Sequence, residues 1–380
     1  MEARSRWKSR LRLGTELLAL IAFIAVGGTV ILSHPLPPGS ASEETLTEAR
    51  YYTKLDNKQV QCRLCPRQCL IGDGRRGTCG IRENRNGKLY TLSYGKACAL
   101  NIGPIEKLPL YHVQPGSLRL NLATAGCNLS CRNCQNWQLS QRTPEEVKSL
   151  DLSPEEVVNN ALADRVSFIS FTYTEPTIFY EYMFDISKLA KSAGYKTLLN
   201  TNGFINPEPL KALLQYIDAV NIDLKGFTPE FYQENCSGEL EPVLGSLKLV
   251  KEEGVHLEIV NLVIPSLNDD MEKVKEMCLW IKENLGTDVP LHFSRFFPAY
   301  RLTKLSPTPV ETLEEARRIA LEMGLKYVYI GNVPGHPANN TFCPRCGEKL
   351  IGRIGLAVTE NNLQQGRCPF CGYQIPGIWE

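Results

Sequence analysis

What this chain lacks first is a surplus of charge. Its 42 Lys and Arg residues stand against 41 Asp and Glu, for a net charge of +1. Nucleic-acid binders carry a marked basic excess, often as a basic stripe interleaved with aromatic residues. Neither is present, so no nucleic-acid partner is expected. Also missing is the cysteine usage of a small secreted disulfide scaffold. The 14 cysteines fall mostly into three groups, near residues 62–79, 127–134 and 343–371, and such clustering reads as metal sites. Cys98, Cys236 and Cys278 stand apart and read as small buried hydrophobes. The middle group has no fourth cysteine beside it. Iron–sulfur centres that only carry electrons are usually closed by four thiolates, so three leave one metal position open to a ligand.

At 380 residues and 43% hydrophobic content the chain can bury a large core, with room for two or three domains. It opens with Arg4, Arg6, Lys8, Arg10 and Arg12, followed by the uncharged run Leu17 to Leu32. Taken over about residues 13–33, this stretch approaches the roughly 20 residues that cross a bilayer and reads as one transmembrane anchor. The basic flank predicts residue 1 in the cytoplasm and the globular part outside. A cleaved signal peptide ending near Ser40-Ala41-Ser42 is the alternative, and the absence of a cysteine after the run excludes a lipoprotein. Residues 33–48, with prolines and small polar residues, form a linker, so residues 1–48 stand outside the globular part.

Residues 49–112 are a cysteine-rich segment. Cys62-Arg-Leu-Cys65-Pro-Arg-Gln-Cys69 is followed by Cys79 after a glycine-rich turn. Four thiols opening on CxxC fit a small closed metal knuckle, and spacing does not choose between zinc and a second iron–sulfur cluster. Tyr90 to Tyr111 reads as one or two short strands with a turn at Gly103-Pro104. At the other end, residues 335–380 carry Cys343-Pro-Arg-Cys346-Gly347 and Cys368-Pro-Phe-Cys371-Gly372. A CxxC pair with glycine after each knuckle predicts a zinc-ribbon or rubredoxin-like site closed by four thiolates, holding zinc or iron.

Between them, residues 113–334 alternate strand and helix patterns. Leu118, Leu120 and Leu122 have the period of a half-buried strand, and Gly126 breaks it just before Cys127, Cys131 and Cys134. Ser153-Pro154-Glu155-Glu156 is a capping box opening the first helix. Strands are expected at Val166–Tyr173, Lys196–Asn200, Ala219–Leu224, His256–Ile264, Leu291–Phe297 and Lys326–Ile330, with helices such as Thr177–Ser192, Asp269–Leu285 and Val310–Met323 between them. This is an α/β pattern of a partial or complete (β/α) TIM-like barrel, whose active residues lie at the C-terminal strand ends. Polar residues at those ends are Tyr173, Thr174 and Glu175, then Asp223 and Lys225, then Asn261 and Asn268. Asp223 and Lys225 are two apart on a strand and share a face.

The C-x3-C-x2-C loop after the first barrel strand resembles the signature of radical S-adenosylmethionine (SAM) enzymes. The resemblance implies that Cys127, Cys131 and Cys134 hold three irons of a [4Fe-4S] cluster, with the amino and carboxylate groups of SAM on the fourth. It departs from the family at Asn133, where an aromatic residue is usual. Glu175 resembles the family's glycine-glycine-glutamate segment that binds the SAM amino group, with Tyr173 and Thr174 as backbone contributors. Asp223 and Lys225 match residues that contact SAM in pyruvate formate-lyase activating enzymes. Asn261 and Asn268 fall on the adenine side, and His292 matches a histidine near the ribose.

With its two outer cysteine segments, residues 50–380 look like the radical SAM enzymes of the AmmeMemoRadiSam system. This implies reductive cleavage of SAM to a 5′-deoxyadenosyl radical that takes hydrogen from an unidentified substrate, a small molecule or a partner protein. A low-potential electron donor of the flavodoxin or ferredoxin type is implied as well. Such chemistry belongs in the cytoplasm, against the orientation the basic flank predicts. Two other readings stand: a zinc-binding module for protein or nucleic acid, and activation of a glycyl-radical enzyme.

Overall fold

The computed structural model describes residues 46–380, and the expected anchor and linker lie outside them, apart from the linker's last three residues. Among the described residues no helix is long and apolar enough to cross a membrane.

The centre is one eight-stranded sheet: β1 (Ala99–Pro104), β2 (Leu118–Ala123), β3 (Phe168–Phe171), β4 (Lys196–Thr201), β5 (Ala219–Asp223), β6 (His256–Val263), β7 (Leu291–Arg295) and β8 (Val328–Gly331). The strands lie in chain order, with β2 to β8 all parallel. Strands β1 and β8 do not pair with each other, so this is the partial form of the barrel. Helices α1 (Pro154–Ala163), α2 (Tyr180–Ser192), α3 (Pro207–Leu214), α4 (Leu240–Glu252), α5 (Met271–Leu285) and α6 (Val310–Glu322) make the crossovers. The box at Ser153 forms: Glu156 N–H donates to its Oγ (3.2 Å), and Ser153 N–H returns a bond to Glu156 Oε2 (2.7 Å).

Two local expectations are corrected. Gly103 and Pro104 do not turn; they pair with Arg119 and Leu118 as the end of β1, an edge strand where proline costs no ladder bond. Strand β2 is buried beyond Leu118 rather than half-buried, because a parallel sheet of this kind has both of its faces covered. Its alternation separates an apolar buried face from a polar one. On the polar face Asn121 Nδ2 donates to Asn101, Ser170 Oγ donates to Asn121 Oδ1 (2.7 Å), and Asn200 Nδ2 donates to Asn221 Oδ1 (2.9 Å). A buried polar row of this kind is stable only because each member is satisfied by the next strand.

The cysteine-rich segment folds as two small three-stranded antiparallel sheets. It is tied to the barrel by Arg82, whose guanidinium donates to both oxygens of Glu181 on α2 (2.7 and 2.8 Å), both side chains being 2% exposed. The C-terminal segment forms another three-stranded sheet, and Arg353 from it donates to Tyr111 C=O (2.8 Å) and lies over the Tyr111 ring.

Candidate functional site

The cysteine loop leaves the C-terminal end of β2 through Gly126. Its φ is +98°, and a Cβ there would lie 2.6 Å from the Ile81 side chain, so only glycine allows the exit. The loop backbone is then held by a short π-helical turn, Tyr232–Cys236. Ser130 N–H donates to Cys236 C=O (2.9 Å) and Arg132 N–H to Asn235 C=O (2.8 Å). Asn133 accepts from Asn235 Nδ2 (2.9 Å), which gives this departure from the family pattern a positioning role. An aromatic residue stands nearby in the chain, Trp137, stacked on Tyr300 at 5.2 Å, and the residue after Tyr300, Arg301, donates its N–H to Arg132 C=O.

Polar groups already point at the loop sulfurs. Leu129 N–H (3.4 Å) and Asn202 Nδ2 (3.8 Å) are placed to donate to Cys127 Sγ, and Ser140 Oγ lies 3.1 Å from Cys134 Sγ. Donors aimed at sulfur suit thiolates held by a metal. Burial first, and then the Glu175 charge, push the free Cys127 thiol pKa well up. Cys131 is instead held below the usual thiol range by a hydrogen bond from Cys236 and by the Lys225 ammonium, against burial. Three thiols with these donors fit three corners of an iron–sulfur cluster.

The carboxylates and amides expected at the strand ends converge here in part. Lys225 Nζ donates to Asp223 Oδ2 at 3.0 Å. Burial opposes the lysine's charge, but Asp223 and the nearby Cys131 and Cys236 thiols raise its pKa well above the ordinary value. Glu175 is 2% exposed; it accepts from Thr177 N–H (2.9 Å), Thr201 Oγ1 (2.7 Å) and Asn202 N–H (2.8 Å). An ionised carboxylate has about four acceptor sites, which leaves roughly one for a ligand. Tyr173 holds a left-handed φ of +67°, strained for an aromatic residue, and its carbonyl accepts from Asn136 Nδ2 (2.8 Å). Thr174 Oγ1 donates to Thr124 C=O (2.8 Å), fixing the segment against the root of the loop.

Asn261 Nδ2 donates to Leu224 C=O (2.7 Å), while its Oδ1 is buried without a partner and the residue lines a cavity with Gly226 and Asn268. That orphan acceptor suits a ligand N–H. Asn268 has no such capacity, since its Oδ1 accepts from Ile264 N–H and its Nδ2 donates to Lys225 and Leu262 carbonyls. It positions the loop that carries Lys225.

His292 is not brought to the strand ends. It is the second residue of β7 and 1% exposed, and its Nε2 donates to Glu258 Oε2 (2.7 Å). Glu258 also accepts from His256 and from the Tyr111 and His112 amides, so His292 belongs to a buried network beneath the C-terminal segment. At the end of β7 stands Arg295, whose Nε donates to Thr308 C=O. Cys236, Asn202 and Asn128 were not legible as site residues. Cys236 is buried as expected, but its thiol meets Cys131, 105 positions earlier in the chain, and spacing carries no trace of that.

The C-terminal thiols form a second, compact site. Cys343, Cys346, Cys368 and Cys371 place their sulfurs within 4.8 Å of one another, with Cys343 to Cys371 at 3.5 Å and Cys346 to Cys368 at 3.6 Å. The two knuckles repeat one geometry, in which Gly347 and Gly372 N–H donate to Cys343 and Cys368 carbonyls (both 2.9 Å). Four thiols at this spacing suit a tetrahedral metal.

A parallel sheet with a three-cysteine loop at its first parallel strand, and charged groups at the following strand ends, defines a radical SAM core. Residues 121–278 match the family model described as the radical SAM superfamily. The chain is 48% identical over 332 residues to an uncharacterised protein of Methanocaldococcus jannaschii, covering 87% of this chain and 99% of that one. It is 24% identical to the pyruvate formate-lyase-activating enzyme of Clostridium pasteurianum, over 59% of this chain and 96% of that one. A solved domain of a pyruvate-formate lyase-activating enzyme from Bacteroides vulgatus overlaps 43% of this chain and 98% of its own, at 20% identity and a TM-score of 0.39. This chain belongs to the radical SAM superfamily and is an enzyme; the family implies a [4Fe-4S] cluster and SAM.

Proposed function

We propose that this is a radical SAM enzyme of the AmmeMemoRadiSam type, in which Cys127, Cys131 and Cys134 ligate three irons of the cluster. The observation that carries the reading is the meeting of a three-thiol loop with the Asp223–Lys225 ion pair and Glu175 at the C-terminal ends of the parallel strands. When bound, the cluster and SAM supply one-electron cleavage of a sulfonium and a radical that abstracts hydrogen from substrate. The protein's own residues bind, orient and screen. Asp223 and Lys225 hold polar groups of SAM, Glu175 keeps a remaining lone pair for its amino group, and Asn261 Oδ1 accepts from the adenine. Tyr173 and Thr174 shape the backbone wall beside the loop. Trp137 and Tyr300 stack on each other in segments that flank the cysteine loop, at a site where a radical must meet one target away from water.

The reductant is a low-potential donor of the flavodoxin or ferredoxin class, and the C-terminal quartet holds structural zinc. Kinship with pyruvate formate-lyase-activating enzymes favours, as a second reading of the substrate, a glycyl-radical partner. The test is turnover of SAM by anaerobically reconstituted, reduced protein. Release of methionine and 5′-deoxyadenosine, abolished in Cys131→Ala, is the expected result; intact SAM over a reduced, iron-loaded protein would overturn it.

A further inference from the structure

The N-terminal cysteines line one cavity, with Cys62, Cys65, Cys69, Cys79 and Arg82 among its walls. The backbone explains the convergence. Cys62 N–H donates to Cys69 C=O (2.9 Å), and Gln68, at a φ of +43°, donates its N–H to Cys65 C=O (3.2 Å), closing the turn between these cysteines. Gly77 leaves the space open, because a Cβ there would lie 3.6 Å from Cys69 Sγ and 3.2 Å from the Ile71 side chain.

Spacing separates this quartet from the C-terminal one. A tetrahedral zinc with Zn–S bonds of about 2.3 Å holds its sulfurs roughly 3.8 Å apart. Among the described residues the C-terminal four are the one group of such ligands whose donor atoms all lie within 4.8 Å; the N-terminal four do not meet that spacing. They stand around a space instead. A cubane cluster takes each thiolate on a different iron, so its ligands surround a core rather than converge on a point.

Arg82 points to an anionic occupant. It is 1% exposed, its terminal nitrogens donate to Glu181 and to Arg50 C=O, and its Nε–H is buried without an acceptor. Leaving such a donor unmade costs about 1–3 kcal/mol. A thiolate or sulfide held in the cavity would supply that acceptor. The cavity also abuts the other cysteine loop. Asn128, next to Cys127, and Thr177, which donates to Glu175, belong to its wall. Arg67 Nε donates to Asn128 C=O (2.5 Å), and Cys79 C=O lies 3.2 Å from where a Cβ on Gly126 would stand.

We propose that Cys62, Cys65, Cys69 and Cys79 ligate a second [4Fe-4S] cluster, with Arg82 Nε donating to it, seated against the wall of the Cys127 loop. This inference is independent of what the loop itself holds. It is tested on the full chain carrying Cys127→Ala, Cys131→Ala and Cys134→Ala together, reconstituted anaerobically with iron and sulfide. The triple variant keeps about four iron and four sulfide per chain and, when reduced, the paramagnetic resonance of a [4Fe-4S]⁺ centre. A colourless triple variant holding about two zinc overturns the proposal. Iron equal to wild type at about four per chain contradicts the loop's role and leaves this site supported, so the two failures are distinct. As a second arm, Cys65→Ser with Cys69→Ser halves the iron of the wild-type chain; unchanged iron overturns the proposal.

Discussion

Lys225 Nζ lies 3.0 Å from Asp223 Oδ2 just past the end of β5, and the lysine's charge reaches the Cys131 thiol. The pair is partly exposed, at 23% and 35% of the two side chains, which leaves it open to a ligand. Removing the carboxylate charge while keeping its shape tests its role in binding. Asp223→Asn weakens SAM binding about 10-fold, roughly 1.4 kcal/mol, with iron content unchanged. Anaerobic equilibrium dialysis with labelled SAM reads this, and an unaltered dissociation constant refutes the assignment.

The Arg82–Glu181 pair is the main buried ionic tie between the cysteine-rich segment and α2. Glu181→Gln leaves a buried guanidinium without its counter-charge and costs roughly 3–5 kcal/mol. Denaturant unfolding should show an earlier loss of the segment's signal. A midpoint within error of wild type would mean that the segment is held by other means.

Acid should weaken the network beneath the C-terminal segment. Burial pushes the His112 pKa down to about 4, against the Glu258 charge. The unfolded histidine, at about 6.5, takes a proton that the folded one refuses, so stability falls as pH drops from about 6.5 to about 4. Burial pushes Glu258 up, but the His256 and His292 hydrogen bonds outweigh it and hold its pKa well below the carboxylate range. Its contribution is present above about 4.5 and is lost as pH falls below that value. Both act in one direction. Thermal melts from pH 7.5 to 4 give a declining midpoint, with a shallower slope above pH 4.5 in His112→Gln; a flat profile contradicts the network's role.

Breaking the compact quartet should cost metal and stability together. Cys346→Ser lowers bound zinc by about one per chain and, at about 1 kcal/mol or more, lowers the melting temperature by roughly 3 °C or more. Full zinc retention in this variant would exclude the quartet as its site.

The parallel sheet was legible because its strands and helices have clean periods: β4 to β7 fall within one or two residues of their expected ends. The loop cysteines and the Asp223–Lys225 pair were legible because their chemistry lies within a few positions of chain. The place of His292 was not, since a histidine reads the same at either end of a strand and only its register against Glu258 and Tyr329 assigns it. Cys236 was hidden for a related reason. The π-helical turn that brings it to Cys131 depends on tertiary bonds to Ser130 and Arg132, not on local periodicity. The N-terminal quartet was visible as a metal site, but that its thiols line one cavity is a property of the folded backbone.

Most direct of all is paramagnetic resonance of the reduced, reconstituted protein before and after adding SAM, read on the quartet variant Cys65→Ser with Cys69→Ser so that only the Cys127 loop contributes. The account predicts a [4Fe-4S]⁺ signal whose g-values shift when SAM occupies the open iron. A cluster signal that SAM leaves unchanged, or no cluster at all with Cys127, Cys131 and Cys134 intact, would contradict it.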